Sequence, residues 1–208
     1  MNMTQGRITV VDDDALVLRS LDRLLRSAGF DVQTFSSPRE FLQQEVQGTC
    51  GCVVMDLSMP ELNGLELQQA LAACADARPV VFISGHGDVP ASVSAMKAGA
   101  VDFLTKPLDQ SKLLDAVRAA LEKDRAAREK RAEHAGVVSR LATLTLREKQ
   151  VLSRVVTGKL NKQIAAELGT AEKTIKVHRA RMMRKMQVDS VAELVRAWTV
   201  TQPPPTAA

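Results

Sequence analysis

The sequence predicts a doubly wound α/β domain with a five-stranded parallel sheet, followed by a small all-α domain. Short apolar stretches alternate with amphipathic helical ones up to residue 121, and only helical patterns follow Leu144. This alternation is typical of a parallel sheet with helices on both faces and functional loops at the carboxyl ends of its strands. Charge divides the chain similarly, because residues 1–120 carry 10 Lys and Arg against 15 Asp and Glu, whereas residues 141–208 carry 12 against 5. We therefore expect two domains with different partners, the second partner being a polyanion.

The elements of the first domain follow from the periodicity of its apolar residues. Each predicted strand is a short β-rich run, and each predicted helix repeats apolar residues every three or four positions. Gly29 is a plausible end of the first helix. The predicted strands cover residues 8–11, 32–35, 52–55, 80–83 and 101–104, and the predicted helices cover residues 16–29, 38–46, 65–75, 89–98 and 113–121.

Composition argues against a membrane protein and against a disulfide-stabilised one. The apolar runs, such as residues 80–83, are far shorter than the ~20 residues that cross a bilayer. The first seven residues contain no signal-peptide hydrophobic region. Cys50, Cys52 and Cys74 are odd in number and form no CxxC pair, which favours reduced thiols. We expect a soluble cytoplasmic protein with no membrane partner.

Polar and charged residues follow the ends of four predicted strands. Asp12 and Asp13 follow the first strand, Asp56 the third, Ser84 the fourth and Lys106 the fifth. Clustered carboxylates suit a hard ion such as Mg²⁺, and a lysine with a hydroxyl could hold phosphoryl oxygens. Asp56 is then the best nucleophile for forming an acyl phosphate. The alternative is that these acidic residues only begin loops and helices, as Asp14 could by capping the first helix.

Four sequence stretches resemble the receiver domain of bacterial response regulators, a flavodoxin-like fold. They are VVDDD at 10–14, VVMDLSMPELNGLEL at 53–67, ISGHGD at 83–88 and AMKAGAVDFLTKP at 95–107. Their order and spacing match together, and the resemblance covers residues 5–124. It implies that Asp56 is the phosphoacceptor and that Mg²⁺ is the cofactor. The implied metal ligands are Asp12, Asp13, Asp56 and the backbone carbonyl of Ser58.

The same resemblance implies three further roles near the phosphoacceptor. Ser84 matches the switch hydroxyl, Lys106 the phosphate-contacting lysine, and Phe103 the aromatic residue whose rotamer reports activation. Pro107 suggests a cis peptide bond after Lys106. His86 is a candidate general base for the attacking water, and the alternative is an ordinary loop residue.

The helices after Leu144 have the spacing of a helix-turn-helix. Thr145 can cap one helix with Glu148, Asn161 can cap a second that ends at Gly169, and Thr170 opens a third that runs to Met186. A fourth begins after Ser190. On the third helix Ile175, Met182 and Met186 repeat at helical spacing and are predicted to face the core.

The opposite face of the third helix is basic and is the predicted groove face. Lys176, Val177 and Ala180 are expected to face bases, together with Lys173. Phosphate contacts are expected from residues that flank this face or begin helices. These are Asn161, Lys162, Thr174, Arg179, Arg181, Arg184 and Lys185.

The helical region resembles the LuxR-type helix-turn-helix over residues 141–200. The matching stretches are LTLREKQVL at 144–152, NKQIAAELG at 161–169, KTIKVHRARMMRKM at 173–186 and SVAELV at 190–195. Joined to a receiver, the pair is similar to the FixJ/NarL class of transcriptional regulators. This implies phosphorylation by a sensor histidine kinase, homodimerisation on phosphorylation, binding of double-stranded promoter DNA and a possible contact with RNA polymerase. It implies no enzyme activity.

Residues 125–140 are predicted to form a helical linker, because the first part of this segment consists almost wholly of charged residues and alanine. Two functions of this linker are considered, a passive spacer and a helix that binds a partner. Residues 201–208, TQPPPTAA, predict a disordered tail.

Two other functions are weighed against a response regulator. A phosphatase of the haloacid dehalogenase type also forms an aspartyl phosphate, but its DxDG[TV] motif fails because Ala15 and Leu16 follow Asp14. A receiver acting only through protein contacts is disfavoured by the basic residues after position 141. Phosphorylation could activate DNA binding in two ways, by unmasking the basic helices or by promoting dimerisation.

Overall fold

The computed structural model describes residues 6–44, 50–73, 76, 78–85 and 89–202, which form two compact units. The first unit spans Met1–Arg128 and the second spans Glu129–Ala208. Predictions for His86, for Cys74, for the first five residues and for residues 203–208 lie outside the described part of the chain. None of the described helices has both the length and the apolar character that crossing a bilayer requires.

The first unit is built on an all-parallel sheet of five strands in the order β2-β1-β3-β4-β5. This is the predicted doubly wound sheet, and each strand except the last is followed by a described helix before the next one begins. The strands are β1 (Arg7–Val11), β2 (Val32–Phe35), β3 (Gly51–Asp56), β4 (Val80–Ser84) and β5 (Asp102–Thr105), and the helices are α1 (Ala15–Ser27), α2 (Pro38–Gln44), α3 (Gly64–Ala73), α4 (Val89–Lys97) and α5 (Gln110–Ala142).

The two faces of the sheet bury separate apolar clusters. Ile8 and Val10 of β1 pack with Leu25 of α1 and Val117 of α5 on one face. The alternate residues face the other way, where Val53 packs with helices α2 to α4. Strands buried on both faces are almost continuously apolar, as β3 and β4 are.

Helix α5 is longer than the sequence analysis predicted. The predicted helix covers residues 113–121, whereas α5 runs from Gln110 to Ala142 and continues through residues 125–140, which are helical as predicted. Asp124 on α5 is buried and accepts hydrogen bonds from the backbone N–H of Gly51 and from Arg128, both at 2.9 Å. This contact fastens the helix to the start of β3.

The second unit contains four described helices after α5. They are α6 (Leu146–Val155), α7 (Asn161–Leu168), α8 (Glu172–Met186) and α9 (Val191–Val200). Thr145 and Glu148 form the predicted capping box at the start of α6. Gly169 ends α7 in a left-handed conformation with a φ of 62°. It lies in the turn between α7 and α8.

The residues predicted to begin α7 and α8 each lie one position away from the observed N-cap. Leu160 rather than Asn161 is the N-cap of α7, and Ala171 rather than Thr170 is the N-cap of α8. Asn161 is instead the first residue of α7, and its side-chain oxygen accepts a hydrogen bond from Arg179. The core prediction for α8 is confirmed, since Ile175, Met182 and Met186 are all buried.

Candidate functional sites

Three carboxylates meet at the carboxyl ends of β1 and β3. Asp12 and Asp13 follow β1, and Asp56 is the last residue of β3. Because the two strands are adjacent and parallel, one oxygen of each carboxylate lies within 4.8 Å of the others. Asp12 is fully buried, and its Oδ1 accepts a hydrogen bond from the backbone N–H of Asp14 at 2.8 Å. The sheet therefore concentrates negative charge at one point.

Lys106 neutralises part of that charge. Its Nζ lies 2.9 Å from Asp12 Oδ2 and 3.4 Å from Asp56 Oδ2. The backbone N–H of Lys106 donates to the carbonyl oxygen of Ser84 at 2.7 Å, which fixes the chain where β5 ends. Burial alone would lower the pKa of Lys106, but the hydrogen bond and charge of Asp12, together with Asp56, outweigh it and raise the pKa.

Asp56 is nearly buried and only partly satisfied. Burial raises its pKa and the charge of Asp12 adds to the rise, while Lys106 and the backbone N–H of Ser58 oppose it. Its Oδ1 atom is buried and has no hydrogen-bond partner among the described residues. A buried carboxylate oxygen of this kind needs an explanation such as a bound ion.

These residues fit a divalent cation such as Mg²⁺. Mg²⁺ prefers oxygen ligands, and this site offers one oxygen from each of three clustered carboxylates, while Asp56 Oδ1 has no hydrogen-bond partner among the described residues. Asp14 lies outside this cluster and instead caps α1, where its Oδ1 accepts from the Leu16 N–H at 2.7 Å. The capping alternative therefore holds for Asp14, and the other two aspartates gather with Asp56.

The remaining predicted receiver residues lie on β4, on β5 and directly after β5. Ser84, the last residue of β4, is fully buried. Phe103 on β5 is partly buried, and its ring centroid lies 6.4 Å from that of Phe82. The bond between Lys106 and Pro107 is cis, as predicted.

Gly64 is a residue near the pocket that the sequence analysis did not single out. A Cβ atom there would lie 2.5 Å from the carbonyl oxygen of Asp56 and 2.8 Å from the ring of Phe82. Only glycine therefore lets the start of α3 approach the end of β3 this closely. The sequence signal that could have identified this close approach is a glycine eight residues after the candidate nucleophile Asp56.

The predicted groove face of α8 is exposed over most of its length. Lys173, Thr174, Lys176, Val177, Ala180, Arg181 and Arg184 are all exposed, and Lys162 is exposed in the first turn of α7. Lys176 Nζ lies 3.2 Å from Glu172 Oε1, one turn earlier on the same face. The face is basic, with one acidic side chain at its start.

Two of the predicted flanking residues have partners within the unit. Lys185 Nζ lies 2.7 Å from the buried carboxylate of Glu148 and 3.1 Å from the carbonyl oxygen of Thr143. The prediction that Lys185 flanks the groove face is therefore corrected to a contact between α8 and α6. Arg179 is half-buried and donates to Asn161 Oδ1 at 3.0 Å.

Comparison with known proteins agrees with both parts of this description. Residues 8–118 match the response regulator receiver domain, and residues 142–198 match the bacterial regulatory proteins of the luxR family. Nodulation protein W of Bradyrhizobium diazoefficiens is 47% identical over 93% of this chain and 85% of its own length. Response regulator protein TmoT of Ectopseudomonas mendocina is 46% identical over 94% of this chain and 89% of its own length.

Solved structures of similar proteins cover both units as well. The response regulator StyR has a TM-score of 0.86 at 45% identity and covers 94% of this chain and 98% of its own. Full-length FixJ from B. japonicum has a TM-score of 0.60 at 41% identity and covers 96% of this chain and 98% of its own. The chain therefore belongs to the transcriptional response regulators of two-component systems, with an amino-terminal receiver domain and a carboxyl-terminal LuxR-type DNA-binding domain.

Proposed function

We propose that phosphorylation of Asp56 by a sensor histidine kinase controls binding of promoter DNA by the helix pair α7 and α8. The observation that carries the proposal is the position of Asp56 at one sheet edge beside Lys106 and two further carboxylates, with its buried Oδ1 lacking a hydrogen-bond partner among the described residues. The domain limits we propose are those of the sequence analysis, with the receiver at 5–124, the linker at 125–140, the DNA-binding domain at 141–200 and the tail at 201–208. Since DNA is the proposed partner, the protein would act in the cytoplasm.

The phosphoryl transfer that fits this pocket is a displacement by a carboxylate oxygen. An oxygen of Asp56 attacks the phosphorus of a phosphohistidine, a P–O bond forms, and the P–N bond breaks. The electron pair returns to the imidazole nitrogen, which then takes a proton. The product is an acyl phosphate on Asp56.

The residues around Asp56 each have a role in this proposal. Asp12, Asp13, Asp56 and the carbonyl of Ser58 would hold Mg²⁺, which when bound neutralises charge on the phosphoryl oxygens. Lys106 would hold one phosphoryl oxygen, since its ammonium already lies beside both Asp12 and Asp56. To do so it exchanges part of its contact with Asp12 for the new phosphoryl group.

The signal would leave the pocket through β4 and β5. Ser84 would bond a phosphoryl oxygen, and the partly buried ring of Phe103 would turn inward as that hydroxyl moves. The exposed surface of α4, β5 and α5 would change with it and support homodimerisation. Two DNA-binding domains held together bind two half-sites with a higher effective concentration.

At the DNA, α8 would lie in the major groove. We propose that Lys176, Val177 and Ala180 face base edges, with Lys173 beside them, because they share the exposed face opposite the buried Ile175. Contacts to phosphate would come from Lys162, Thr174, Arg181, Arg184 and the helix start at Asn161. The bound dimer could in turn contact RNA polymerase.

Intact-mass spectrometry tests the phosphorylation site. With Mg²⁺ and acetyl phosphate, the wild-type chain should gain one phosphoryl group, and Asp56→Asn should gain none. Asp14→Asn is the matched control, because it removes a neighbouring carboxylate that caps α1 and is not part of the cluster. It should be phosphorylated like the wild type. Undiminished phosphorylation of Asp56→Asn would reject the assignment.

A further inference from the structure

The start of α7 is held by a residue of α8. Arg179 Nη1 donates to Asn161 Oδ1 at 3.0 Å, and the two residues lie eighteen positions apart in the chain. Both are half-buried, so the contact is partly shielded from solvent.

This contact decides which atoms Asn161 offers to a ligand. A guanidinium group only donates hydrogen bonds, so the amide of Asn161 must turn its oxygen toward Arg179. The amide nitrogen, with its two N–H donors, is then on the side away from Arg179. They match a phosphate oxygen, which only accepts, and they cannot satisfy a donor on a base.

The backbone at the start of α7 also offers hydrogen-bond donors, which suit a phosphate oxygen. The first N–H groups of any helix have no partner within it, and the N-cap here is Leu160, whose side chain cannot accept a hydrogen bond. Gln163 Oε1 accepts a hydrogen bond from the backbone N–H of Leu160 at 2.8 Å. The N–H groups that follow Leu160 are the donors at the start of α7 that have no partner within the helix. Lys162 adds an exposed positive charge beside them.

We propose that Arg179 is a positioning residue, which fixes the Asn161 amide as a phosphate donor at the start of α7 and does not itself contact DNA. This inference rests on the proposed function of α7 and α8 as the DNA-binding pair. It revises the sequence-based assignment of Arg179 as a phosphate contact. Arg179 acts through Asn161, so its effect requires Asn161 to be present.

A double-mutant cycle on DNA affinity tests this dependence. The probe is a duplex selected from a random library by the full wild-type chain, and the variants are Asn161→Ala, Arg179→Ala and both together in the full chain. Each single variant should bind roughly tenfold more weakly, as expected for loss of one hydrogen bond to a charged group. The double variant should bind no more weakly than either single variant.

Arg179→Lys separates positioning from charge. Lysine keeps a donor and the positive charge, so it should recover part of the affinity when Asn161 is present. In the Asn161→Ala background, Lys and Ala at position 179 should bind equally. A stronger affinity with Lys in that background would show that the charge itself acts on DNA and would overturn the proposal.

Salt dependence provides the matched comparison. Arg181→Ala removes the same charge from an exposed position on the same helix and should reduce the slope of log affinity against log salt by about 0.9. Arg179→Ala should leave the slope unchanged. A slope reduced by Arg179→Ala, or multiplied losses in the double variant, would mean a direct phosphate contact.

Two further outcomes count against the proposal. If Arg179→Ala lowers the melting temperature but not DNA affinity, the contact only stabilises the fold. If it changes the ranking of different duplexes, Arg179 reads bases. Failure of the wild type to select any duplex would instead reject the proposed function, which separates the two results.

Discussion

The ammonium group of Lys106 lies nearer to Asp12 than to Asp56, with Nζ–Oδ2 distances of 2.9 and 3.4 Å. Asp12 is also the more deeply buried of the two carboxylates. Lys106 therefore compensates the charge that is hardest to solvate, and one buried oxygen of Asp56 has no hydrogen-bond partner in the part of the chain that the structure describes. In this arrangement the proposed nucleophile is held close to a cation that does not fully neutralise it.

A divalent cation should stabilise the folded receiver through this cluster. At a Mg²⁺ concentration one hundred times its dissociation constant, the free energy of unfolding should rise by about 2.7 kcal/mol. Asp13→Asn should reduce that increase at the same Mg²⁺ concentration, because it removes one of the three clustered carboxylates. Asp14→Asn keeps the cap of α1 and should retain the full increase. Thermal unfolding with and without Mg²⁺ measures both, and equal increases in all three proteins would contradict the metal site.

Base contacts and phosphate contacts should respond differently to mutation. Lys176→Ala should weaken binding unequally among DNA sequences, by about 1 to 3 kcal/mol for a good base contact. Lys162→Ala should weaken all sequences alike and reduce the salt slope by about one unit. Titration of several duplexes at two salt concentrations distinguishes them. A uniform loss from both variants would show that Lys176 contacts only phosphate.

The Glu148–Lys185 ion pair should make the second unit sensitive to acid. Burial alone would raise the pKa of Glu148, but hydrogen bonds from Lys185 and Thr145 outweigh it and lower the pKa. A lowered pKa in the folded state stabilises the fold above the ordinary carboxyl pKa, and this contribution is lost as the pH falls through the folded value.

Glu148→Gln should therefore destabilise the second unit at neutral pH, by about 1.5 to 3 kcal/mol. The difference from the wild type should shrink as the pH falls below about 4. Trp198 is the single tryptophan of the chain and packs in this unit, so its fluorescence reports the relevant transition. A difference that stays constant with pH would mean that the charge of Glu148 contributes nothing.

Asp124 should matter for the first unit more than the exposed acidic residues of α5 do. Asp124→Ala leaves the buried N–H of Gly51 without its acceptor and should lower the free energy of unfolding by about 1 to 3 kcal/mol. Asp115→Ala removes a carboxylate whose partner Arg118 is also exposed, so its effect should stay within about 0.5 kcal/mol. Denaturant unfolding compares the two variants. Equal effects would show that the contact with Gly51 is not stabilising.

The sequence predicted well what depends on local pattern and on the geometry of parallel sheets. Strand ends of a parallel sheet meet at one edge, so Asp12, Asp13, Asp56 and Lys106 could be grouped before any coordinates were known. The buried stripe of α8 followed from helical spacing in the same way. The helical state of residues 125–140 was also predicted, but their continuity with the helix at 113–121 as one helix was not, because charged residues and alanines carry no apolar periodicity that fixes a boundary.

Contacts between distant side chains could not be predicted by the same means. Lys185 and Arg179 both belong to a basic helix, and their partners Glu148 and Asn161 lie on other helices. Which basic residue is paired and which faces solvent depends on how the helices pack. The closer approach of Lys106 to Asp12 than to Asp56 depends on distances of a few tenths of an ångström in the same way.

The central claim is that phosphate on Asp56 controls DNA affinity. The most direct measurement is the affinity of the full chain for a selected duplex before and after treatment with Mg²⁺ and acetyl phosphate, with Asp56→Asn treated in parallel. The account predicts an increase of about 5- to 150-fold for the wild type, the usual range of coupling between two sites, and no change for Asp56→Asn. Equal affinities before and after treatment of a fully phosphorylated wild type, or the same increase in Asp56→Asn, would contradict it.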